Sequence, residues 1–496
     1  HRDFVYGPYY AKLKAEFYDL LSTERCTHNM EYRWMDLKKR PVWIKCKGHL
    51  IRDAKMKPLY MIGCINEIGG KQKADNVSGF LGETGFREYI SNPVPTWKKG
   101  YLLRVGIDHF KEINEKFSME YGDFILRETA ACISSCMSEK QRVYKLMADE
   151  FLILDVSSDD TKEAGKLFIK IRESIDQFVE ENDFEVMYTI SGGSLALHSS
   201  ENIEYSKVMK LTDFSLNEAK KRGRNRCYIF DEKDYSRFIR KGEITQELRE
   251  ATRNGFQGFV AFYQPVIEAK SGRLSGAESL MRFSSSKFGM VSPVEFISIL
   301  EETGLIIPVG RWMMKEAMEK CSQIRKVIPG FKVNINISQV QVSKSDVIID
   351  IADEMEKAGL SPEAMNIELT ESDLLEGDIN TQHFLKELKR MGIKLALDDF
   401  GTGYSNFHYL SELDPEIIKI DRSFTSSAVA DEKEYYLLKQ FCRMIHNLGL
   451  KICIEGVENQ EEWAKIQKLE PDFGQGFFWG RPCGYDEFVR QFIEKK

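Results

Sequence analysis

Two adjacent carboxylates at the end of an apolar run are the first residues in this sequence that could do chemistry. The stretch 394–397 leads into Asp398 and Asp399, and a glycine-flanked turn at 401–403 follows. Adjacent residues of a strand point to opposite faces, so two neighbouring acids cannot both be buried at low cost. A bound cation would remove that difficulty, and the pair therefore indicates a metal site.

Similar polar endings recur along the C-terminal half of the chain. Polar residues stand within or directly after apolar runs at Glu278, Asn336, Glu368, Glu371, Lys419, Asp421, Glu455, Glu458 and Gln475. Acids that converge at low dielectric repel one another, and divalent cations relieve that repulsion. A donor set of oxygens without Cys or His favours Mg²⁺ or Mn²⁺ over zinc. The plainer alternatives are solvated strand ends, or buried ion pairs, although the acids outnumber Lys419 and Arg282.

Strands that alternate with helices must position these groups. From residue 251 onward the patterns predict strands at 260–267, 275–283, 332–338, 366–371, 394–400, 417–422, 451–458 and 473–479. Ser292, Pro293 and Glu295 predict a helix start with a capping box, and Ser361-Pro362 indicates a second start or a turn. This alternation predicts a (β/α)₈ barrel with an antiparallel first hairpin near 270–273, and the functional groups of such barrels collect at the C-terminal strand ends.

The same residues resemble the EAL family of cyclic-di-GMP phosphodiesterases over about 245–496. The motifs that carry the resemblance are Tyr263-Gln264-Pro265, Glu278-Ser279-Leu280-Met281-Arg282, Asn334-Ile335-Asn336-Ile337-Ser338, Glu368-Leu369-Thr370-Glu371, Asp398-Asp399-Phe400-Gly401, Lys419-Ile420-Asp421, Glu455-Gly456-Val457-Glu458 and Gln475-Gly476-Phe477. The family's E-A-L is Glu278-Ser279-Leu280 here. Ser279 points away from Glu278, so its hydroxyl needs only a local partner.

The resemblance implies a site with two ions, Mg²⁺ or Mn²⁺. It assigns one ion to Glu278, Asn336, Glu368 and Asp398, and a second to Asp398, Asp399 and Glu455. Lys419, Gln475, Glu455 and Glu371 are implied in catalysis, with Lys419 positioning or deprotonating the attacking water and Glu371 bracing the mobile turn after Asp399. Gln264, Arg282 and Asp421 are implied in binding substrate.

The implied reaction is hydrolysis of cyclic-di-GMP to linear pGpG. One rival is a catalytically silent barrel that only binds cyclic-di-GMP, although every implied ligand is present. A second rival is a metal hydrolase for another phosphodiester such as single-stranded nucleic acid, but the sequence lacks the basic, aromatic-lined groove that this would need.

The region 79–235 has the pattern of an α+β sandwich. It predicts a strand at 101–107, helical periodicity over 110–137, a hairpin of 142–146 with 150–156, a helix at 162–181, a strand at 185–190 and a helix at 205–221. It resembles the GGDEF family of diguanylate cyclases through Gly106-Ile107-Asp108-His109-Phe110-Lys111, Ile113-Asn114, Tyr121-Gly122-Asp123, Ala148-Asp149-Glu150-Phe151 and Ala219-Lys220-Lys221-Arg222-Gly223-Arg224-Asn225.

Departures from that family predict a degenerate domain without cyclase activity. Met147 and Ala148 replace the two glycines of the hairpin turn, where side chains would crowd a triphosphate. Gly106 replaces the first metal-binding aspartate, which leaves Asp149 without a partner carboxylate, and no product-inhibition motif accompanies Arg142. The residues that match the nucleotide-binding positions are Asn114, Asp123 and Asp149. GTP as an allosteric ligand is one hypothesis and a purely structural dimerisation module is the other.

Residues 1–70 contain alternating runs at 31–35, 42–51 and 59–68 after an aromatic stretch. They resemble the C-terminal half of a PAS sensor domain, and a small β cap or dimerisation element is the alternative. Residues 69–78 are predicted as a linker and 236–250 as a stiff helical connector. The predicted organisation is thus a partial PAS-like segment (1–70), a degenerate GGDEF domain (79–235) and an EAL barrel (245–496).

Composition narrows the classes of function. The chain has 496 residues, 42% of them hydrophobic, with a net charge of −7, and it lacks a basic tract, so nucleic acid is not expected as a partner. The ten cysteines lack zinc spacing, and Cys132 and Cys136 are expected to pack in a core. A cytoplasmic location, no membrane span within this sequence, and a homodimer are expected. The sequence begins with His1, so segments upstream are not excluded.

Overall fold

The structure, a computed structural model, describes residues 5, 7–35, 41–53, 56–67, 75–91, 99–181, 188–198, 204–370, 379–401 and 415–494. These residues form two compact units, His1–Arg237 and Phe238–Lys496. None of the helices described combines the length and apolar character that crossing a bilayer requires.

A helix and an antiparallel sheet begin the first unit. The elements are α1 Gly7–Ser22, β1 Thr27–Met35, β2 Pro41–Arg52 and β3 Pro58–Glu67, and the described strands pair in the order β1-β2-β3. A small cluster that includes Leu13, Tyr32 and Ile44 forms their core. The three strands predicted from alternation are present, whereas the PAS-like identity of the segment stays a prediction.

The rest of the first unit is an α+β sandwich. Its elements are β4 Leu81–Gly82, α2 Glu83–Ile90, β5 Lys99–Ile107, α3 Phe110–Lys116, α4 Met119–Cys136, β6 Gln141–Lys145, β7 Glu150–Asp155, α5 Thr161–Glu181, β8 Ile190–His198, α6 Tyr205–Lys221 and β9 Cys227–Ile229. The described strands lie in the order β4-β6-β7-β5-β8-β9. As expected, Cys132 and Cys136 are buried in the core between the sheet and its helices.

One prediction in this unit was wrong. The strand expected to end at Ile190 begins there instead, and it contains Gly192 and Gly193. The backbone of α6 lies so close to Gly193 that a Cβ there would collide with Ser215 and Leu216, and this packing explains a glycine inside a strand. The helical periodicity predicted over 110–137 is present as two helices, because Ser118 caps a new helix by accepting a hydrogen bond from the Tyr121 amide.

The second unit is a barrel surrounded by helices. Its elements are α7 Glu232–Arg253 (which begins in the first unit), β10 Phe259–Glu268, β11 Leu274–Ser285, β12 Gly289–Val291, α8 Pro293–Thr303, α9 Ile306–Arg325, β13 Lys332–Asn336, α10 Gln339–Lys344, α11 Val347–Ala358, β14 Met365–Thr370, α12 Ile379–Met391, β15 Lys394–Phe400, β16 Ile417–Ile420, α13 Arg422–Ala430, α14 Glu432–Asn447, β17 Lys451–Ile454, α15 Gln460–Ile466, β18 Phe473–Gly474, β19 Cys483–Gly484 and α16 Tyr485–Phe488. Short 3₁₀ turns lie at Pro362–Ala364 and Gln467–Leu469, and a π-helical turn lies at Val489–Ile493.

Among these described strands, eight close the barrel in the order β11-β13-β14-β15-β16-β17-β18-β10, with β10 pairing back to β11. β10 is antiparallel to both of its neighbours, and the others are mutually parallel. The predicted barrel and its antiparallel first hairpin are therefore confirmed.

Most of the apolar packing lies outside the barrel wall, between the strands and the helices. The interior holds a small apolar cluster of Val266, Ala396, Ile417, Cys453 and Phe473. Because side chains alternate along each strand, the other inward positions are free to carry polar groups. These positions build the site.

The helix starts differ in detail from the prediction. Ser292 and Pro293 begin α8 as expected, but the capping box is absent: Ser292 makes no capping hydrogen bond, and Glu295 instead accepts one from Arg240 of α7 at 2.7 Å. A capping box is present at Ser338, where Gln341 completes it. Ser361-Pro362 opens only a 3₁₀ turn. The connector is the helix α7, and its Ile244 and Leu248 are buried.

Candidate active site

The predicted acids meet at the C-terminal rim of the barrel. Parallel pairing sets Asn336 beside Glu368 and Thr370 beside Asp398 on adjacent strands. Glu278 of β11, Lys419 of β16 and Glu455 after β17 join them from the other strands. Groups that are far apart in the sequence are thus brought together by strand register.

Lys419 lies at the centre of this rim and is 1% exposed. Its Nζ is 2.7 Å from Glu455 Oε1, 3.0 Å from Glu368 Oε2, 3.1 Å from Asp398 Oδ1 and 3.3 Å from Glu278 Oε2. One ammonium therefore faces four carboxylates. The cluster retains an excess of negative charge that a single lysine does not neutralise.

The carboxylates divide into two groups that could each hold a metal ion. One consists of Glu278, Glu368 and Asp398, and the other of Asp398, Asp399 and Glu455, with oxygens in each group within 4.8 Å of one another. Asn336 joins the first group, since its Nδ2 donates to Glu278 Oε1 at 2.8 Å. The grouping around a shared Asp398 parallels the division that the family resemblance implies.

The pKa values of the rim carboxylates respond to this crowding. Burial and the neighbouring carboxylates raise the pKa of Glu368 well above its ordinary value and that of Glu455 to about 8, although Lys419 opposes both shifts. Burial, Asp398 and Asp421 raise the pKa of Asp399 to about 6. Divalent cations would relieve these unfavourable charges, and the oxygen donors suit Mg²⁺ or Mn²⁺, so the residues present fit the implied metals.

Two other groups have pKa shifts that favour their charged forms. Burial would raise the pKa of Glu278, but Lys419, Gln475 and Asn336 outweigh it and lower the value. Burial would lower the pKa of Lys419, but the surrounding carboxylates raise it well above its ordinary value. The rim thus places an ammonium and at least one ionised carboxylate in direct contact.

A break in strand register explains how adjacent acids share one site. Pairing between β15 and β16 shifts between Leu397 and Phe400, and Asp399 has a left-handed φ of +52°. Its amide donates to Asp398 Oδ1 at 3.0 Å. In a regular strand the two side chains would point to opposite faces, whereas this irregularity turns both to the rim.

Gly401 completes the turn, and a side chain there would not fit. Its φ is +97°, and a Cβ would lie 2.6 Å from the Phe424 ring. Residues 402–414 follow outside the described residues, as does Glu371, so the predicted mobile turn and its brace are not placed.

Gln475 and Gln264 lie together beside Glu278. Gln475 Nε2 donates to Glu278 Oε2 at 2.6 Å and to Gln264 Oε1 at 3.1 Å. Gln475 is 4% exposed, and its buried Oε1 has no hydrogen-bond partner among the described residues. An acceptor left in this state needs a donor such as water or substrate.

The remaining predicted substrate-binding residues are placed differently. Arg282 is half-buried, donates to the Met281 carbonyl at 2.8 Å and lies over the Phe262 ring. Asp421 caps α13: its Oδ1 accepts from the Ser423 amide at 2.8 Å and from the Ser423 hydroxyl. That oxygen therefore has a structural role that the sequence reasoning did not assign to Asp421.

Two buried residues of the site were missed. Asn334 Nδ2 donates to Glu368 Oε1 at 2.7 Å, and Asn366 Nδ2 donates to Asn334 Oδ1 at 2.9 Å. The signal was available, because Asn334 and Asn366 each stand two residues before a predicted ligand and so share its face of the strand. Ser279, in contrast, finds the expected local partner by donating to the Asn334 carbonyl at 2.8 Å.

The hairpin of the first unit is built differently. Arg104 binds Glu150 at 2.6 Å and Asp213 at 3.0 Å, and a Cβ on Gly106 would lie 3.3 Å from Lys220 Nζ. Cations thus stand where the family places an acid. In the part of the chain that the structure describes, the acids grouped closely enough to hold a metal are those of the barrel rim.

The predicted nucleotide-binding residues lie on α3, on α4 and in the turn of this hairpin. Asn114 of α3 lies against Gly122, next to Asp123, and Asp149 follows Ala148 in the turn. Ala148 adopts a left-handed φ of +50°, the conformation for which glycine is favoured. Lys145 supports the turn by donating to the carbonyls of residues 146, 148 and 150.

Comparison with known proteins agrees with this architecture. Residues 245–482 match the family described as EAL domain, and residues 74–226 match diguanylate cyclase, GGDEF domain. The chain therefore contains a GGDEF domain followed by an EAL domain.

Similar curated proteins include two from well-known bacteria. The bifunctional diguanylate cyclase/cyclic di-GMP phosphodiesterase MucR of Pseudomonas aeruginosa is 28% identical over 392 residues, which cover 78% of this chain and 56% of MucR. The cyclic di-GMP phosphodiesterase PdeR of Escherichia coli is 26% identical over 429 residues, 85% of this chain and 64% of PdeR. The chain thus spans little more than half the length of these relatives.

Among solved structures, the MucR phosphodiesterase in complex with c-di-GMP is similar to the barrel. It is 28% identical and covers 50% of this chain and 99% of the solved one, with a TM-score of 0.47.

Proposed function

We propose that the EAL barrel hydrolyses cyclic-di-GMP to linear pGpG with two divalent ions, Mg²⁺ or Mn²⁺. The observation that carries the proposal is the pair of carboxylate groups that share Asp398 around Lys419. The names of the EAL relatives MucR and PdeR, which include cyclic di-GMP phosphodiesterase, support the substrate.

In this proposal Glu278, Asn336, Glu368 and Asp398 hold one ion, and Asp398, Asp399 and Glu455 hold the other. Bound ions would supply Lewis-acid stabilisation of the phosphate charge and would lower the pKa of the attacking water. The crowding of buried carboxylates, which raises the pKa values of Glu368 and Glu455, supports this assignment.

The protein's own groups orient the reactants. Gln475 accepts a hydrogen bond from the attacking water through its Oε1. Lys419, which four carboxylates hold in position, donates a hydrogen bond to the same water. The water oxygen forms a bond to phosphorus while the bond from phosphorus to O3′ breaks, and the departing oxygen takes up a proton. Arg282 binds a phosphate, Gln264 and Asp421 bind the remainder of the substrate, and Glu371 braces the turn after Asp399.

We further propose that the domain at 79–235 makes no cyclic-di-GMP and that GTP acts on it as an allosteric ligand through Asn114, Asp123 and Asp149. The replacement of an acid by Gly106 and the Arg104–Glu150 ion pair support the loss of cyclase activity. The barrel is assigned to 245–496, and a homodimer is part of the proposal.

The test is incubation of the whole chain with cyclic-di-GMP and Mg²⁺ or Mn²⁺, with and without GTP, followed by chromatography of the products. We expect pGpG, at a rate that GTP changes. Binding of cyclic-di-GMP without any product, in protein shown by calorimetry to hold the metal, would instead identify a receptor.

A further inference from the structure

The barrel has a second polar opening, at the end opposite the acidic rim. A cavity of about 40 Å³ lies among the N-terminal ends of the strands, where Lys332 and Lys451 begin β13 and β17 and Glu416 precedes β16. The cavity extends inward as far as Asn334, Asn366, Cys453 and Lys419. It therefore reaches the underside of the proposed metal site from the other face of the barrel.

The two walls of the barrel interior differ in polarity. One wall is the apolar cluster that contains Val266, Ala396 and Cys453. The other carries Asn334 and Asn366, which are 7% and 3% exposed. A buried amide is costly unless it is hydrogen-bonded, so two of them side by side require an explanation.

Hydrogen bonds connect these amides to Glu368 in a single file. Asn366 Nδ2 donates to Asn334 Oδ1 at 2.9 Å, and Asn334 Nδ2 donates to Glu368 Oε1 at 2.7 Å. The other oxygen of the carboxylate, Oε2, is 3.0 Å from Lys419 Nζ. Asn334 thus binds Glu368 Oε1 from the side of the cavity, and Glu368 Oε2 faces the rim.

The chemistry of the carboxylate sets the direction of this chain of hydrogen bonds. As a metal ligand Glu368 is ionised and only accepts, so Asn334 must present its amide nitrogen to it and its oxygen to Asn366. Asn366 must then donate to Asn334, which leaves its own Oδ1 as the end of the file. This buried oxygen has no hydrogen-bond partner within the described part of the chain, and Asn366 lines the cavity.

The group that completes the file must therefore be a donor that fits the cavity. A volume of about 40 Å³ accommodates two or three waters, since each needs roughly 10–15 Å³ measured in this way. A metal cation is disfavoured, because Lys332, Lys394 and Lys451 surround Glu416 at this opening. Water satisfies both the size and the polarity.

We infer that Asn334 and Asn366 are positioning residues for Glu368, and that a water in the cavity closes their file by donating to Asn366 Oδ1. The inference rests on the proposed function in taking Glu368 as a metal ligand. Partners that orient a ligating carboxylate keep its free oxygen aimed at the metal, and their loss weakens metal binding.

The test is calorimetric titration of the metal-free whole chain with Mn²⁺ at one pH. Asn334→Leu removes the donor to Glu368, and we expect Mn²⁺ affinity to fall roughly 10-fold or more. Asn366→Leu leaves the contact between Asn334 and Glu368 in place but removes the support below it, so a smaller loss is expected. Cys453→Ala is the matched control, because it enlarges the same cavity from the apolar wall, and its affinity should equal that of the parent.

Thermal melting of each metal-free variant separates positioning from stability. A purely structural pair would lower the melting temperature and leave Mn²⁺ affinity unchanged in the folded protein, and that result for both asparagine variants would overturn the inference. Should Asn334→Leu fail to fold, Asn366→Ala supplies the same comparison. A high-resolution crystal structure with no water at Asn366 Oδ1 would contradict the inferred water that donates to this atom.

Failure of the proposed function has a different signature. Parent protein that binds Mn²⁺ but forms no pGpG would contradict hydrolysis, while the affinities of the variants would still decide the role of the asparagines. Parent protein that binds no Mn²⁺ would overturn both, because Glu368 would then not be a ligand.

Discussion

The barrel rim and the hairpin of the GGDEF domain differ in how the negative charge of their acidic residues is balanced. At the rim, five carboxylates lie together with one lysine, which contacts four of them, and the pKa values of three of the five are raised. At the hairpin, Gly106 removes one acid and Arg104 neutralises Glu150 at 2.6 Å. An acid cluster that lacks enough internal cations requires external ones, whereas a cluster that has its own does not.

Among the changes that test this comparison, replacing Asp398 should have the largest effect on activity and metal binding. Both carboxylate groups include Asp398, so Asp398→Ala is expected to lower pGpG formation by at least ~10³-fold and to weaken both proposed ion sites. The measurement is product chromatography at saturating Mn²⁺, with circular dichroism to confirm the fold. Asp353→Asn, at a surface acid 3.5 Å from Arg311, is the control that should retain full activity. Substantial hydrolysis by the Asp398 variant would contradict the shared-ligand assignment.

The pH dependence of metal-free stability provides the next largest effect. Glu455 and Asp399 have folded pKa values of about 8 and about 6, above their ordinary values of 4.5 and 3.8. The folded state therefore binds more protons than the unfolded state, and stability should fall as the pH rises from about 5 through 8.

Urea unfolding of chelated protein at the two ends of this range measures the effect. Glu455→Gln should flatten the pH profile, and saturating Mn²⁺ should remove the loss of stability at high pH. A metal-free protein that becomes more stable as the pH rises would contradict the crowded rim.

A metal site built at the hairpin would sharpen the comparison. In the Asp398→Ala background, Gly106→Asp combined with Arg104→Ala should create a weak Mn²⁺ site, on the order of millimolar. The new side chain would meet the flexible ends of Leu216 and Lys220 at 3.2 and 3.3 Å, so it should fit. Gly106→Asp alone is the matched control, because Arg104 remains to neutralise the added acid. Titration that detects no site in the triple variant would show that ligand charge alone does not distinguish the two regions.

The smallest effect is expected at Ser279. Ser279→Ala restores the alanine of the E-A-L motif and removes one hydrogen bond to the Asn334 carbonyl, which should cost about 1 kcal/mol of stability. Hydrolysis should change by less than about twofold, because the side chain points away from Glu278. A large loss of activity with normal stability would show that Ser279 acts on the site.

Much of the barrel and its acids was predictable because two kinds of signal agree. Most barrel strands are rich in apolar residues, although β18 is only Phe473–Gly474, and Glu278, Glu368, Asp398 and Lys419 all fall within or at the end of such apolar segments. The structure also contains the predicted antiparallel hairpin between β10 and β11. The assignment of individual residues to metal and substrate stays a prediction.

Other features were not predictable because they depend on distant neighbours. The capping box at Ser292 is absent since Arg240, far away in sequence, binds Glu295. The position of β8 was misjudged because its Gly193, a residue type that normally weakens a strand, is needed for the close approach of α6. Local secondary-structure propensity carries no information about either of these long-range contacts.

The sequence by itself determined which groups are available: oxygen donors at strand ends, one lysine among them, a glycine where the GGDEF resemblance implies an acid, and a hairpin turn without that family's two glycines. Only the tertiary structure decided how those groups share charge. Barrel closure brings Glu278 to within 3.3 Å of a lysine 141 residues further along the chain, and a register shift turns Asp398 and Asp399 to the same rim. Charge interactions depend on distance and burial, and both are set by which strands become neighbours.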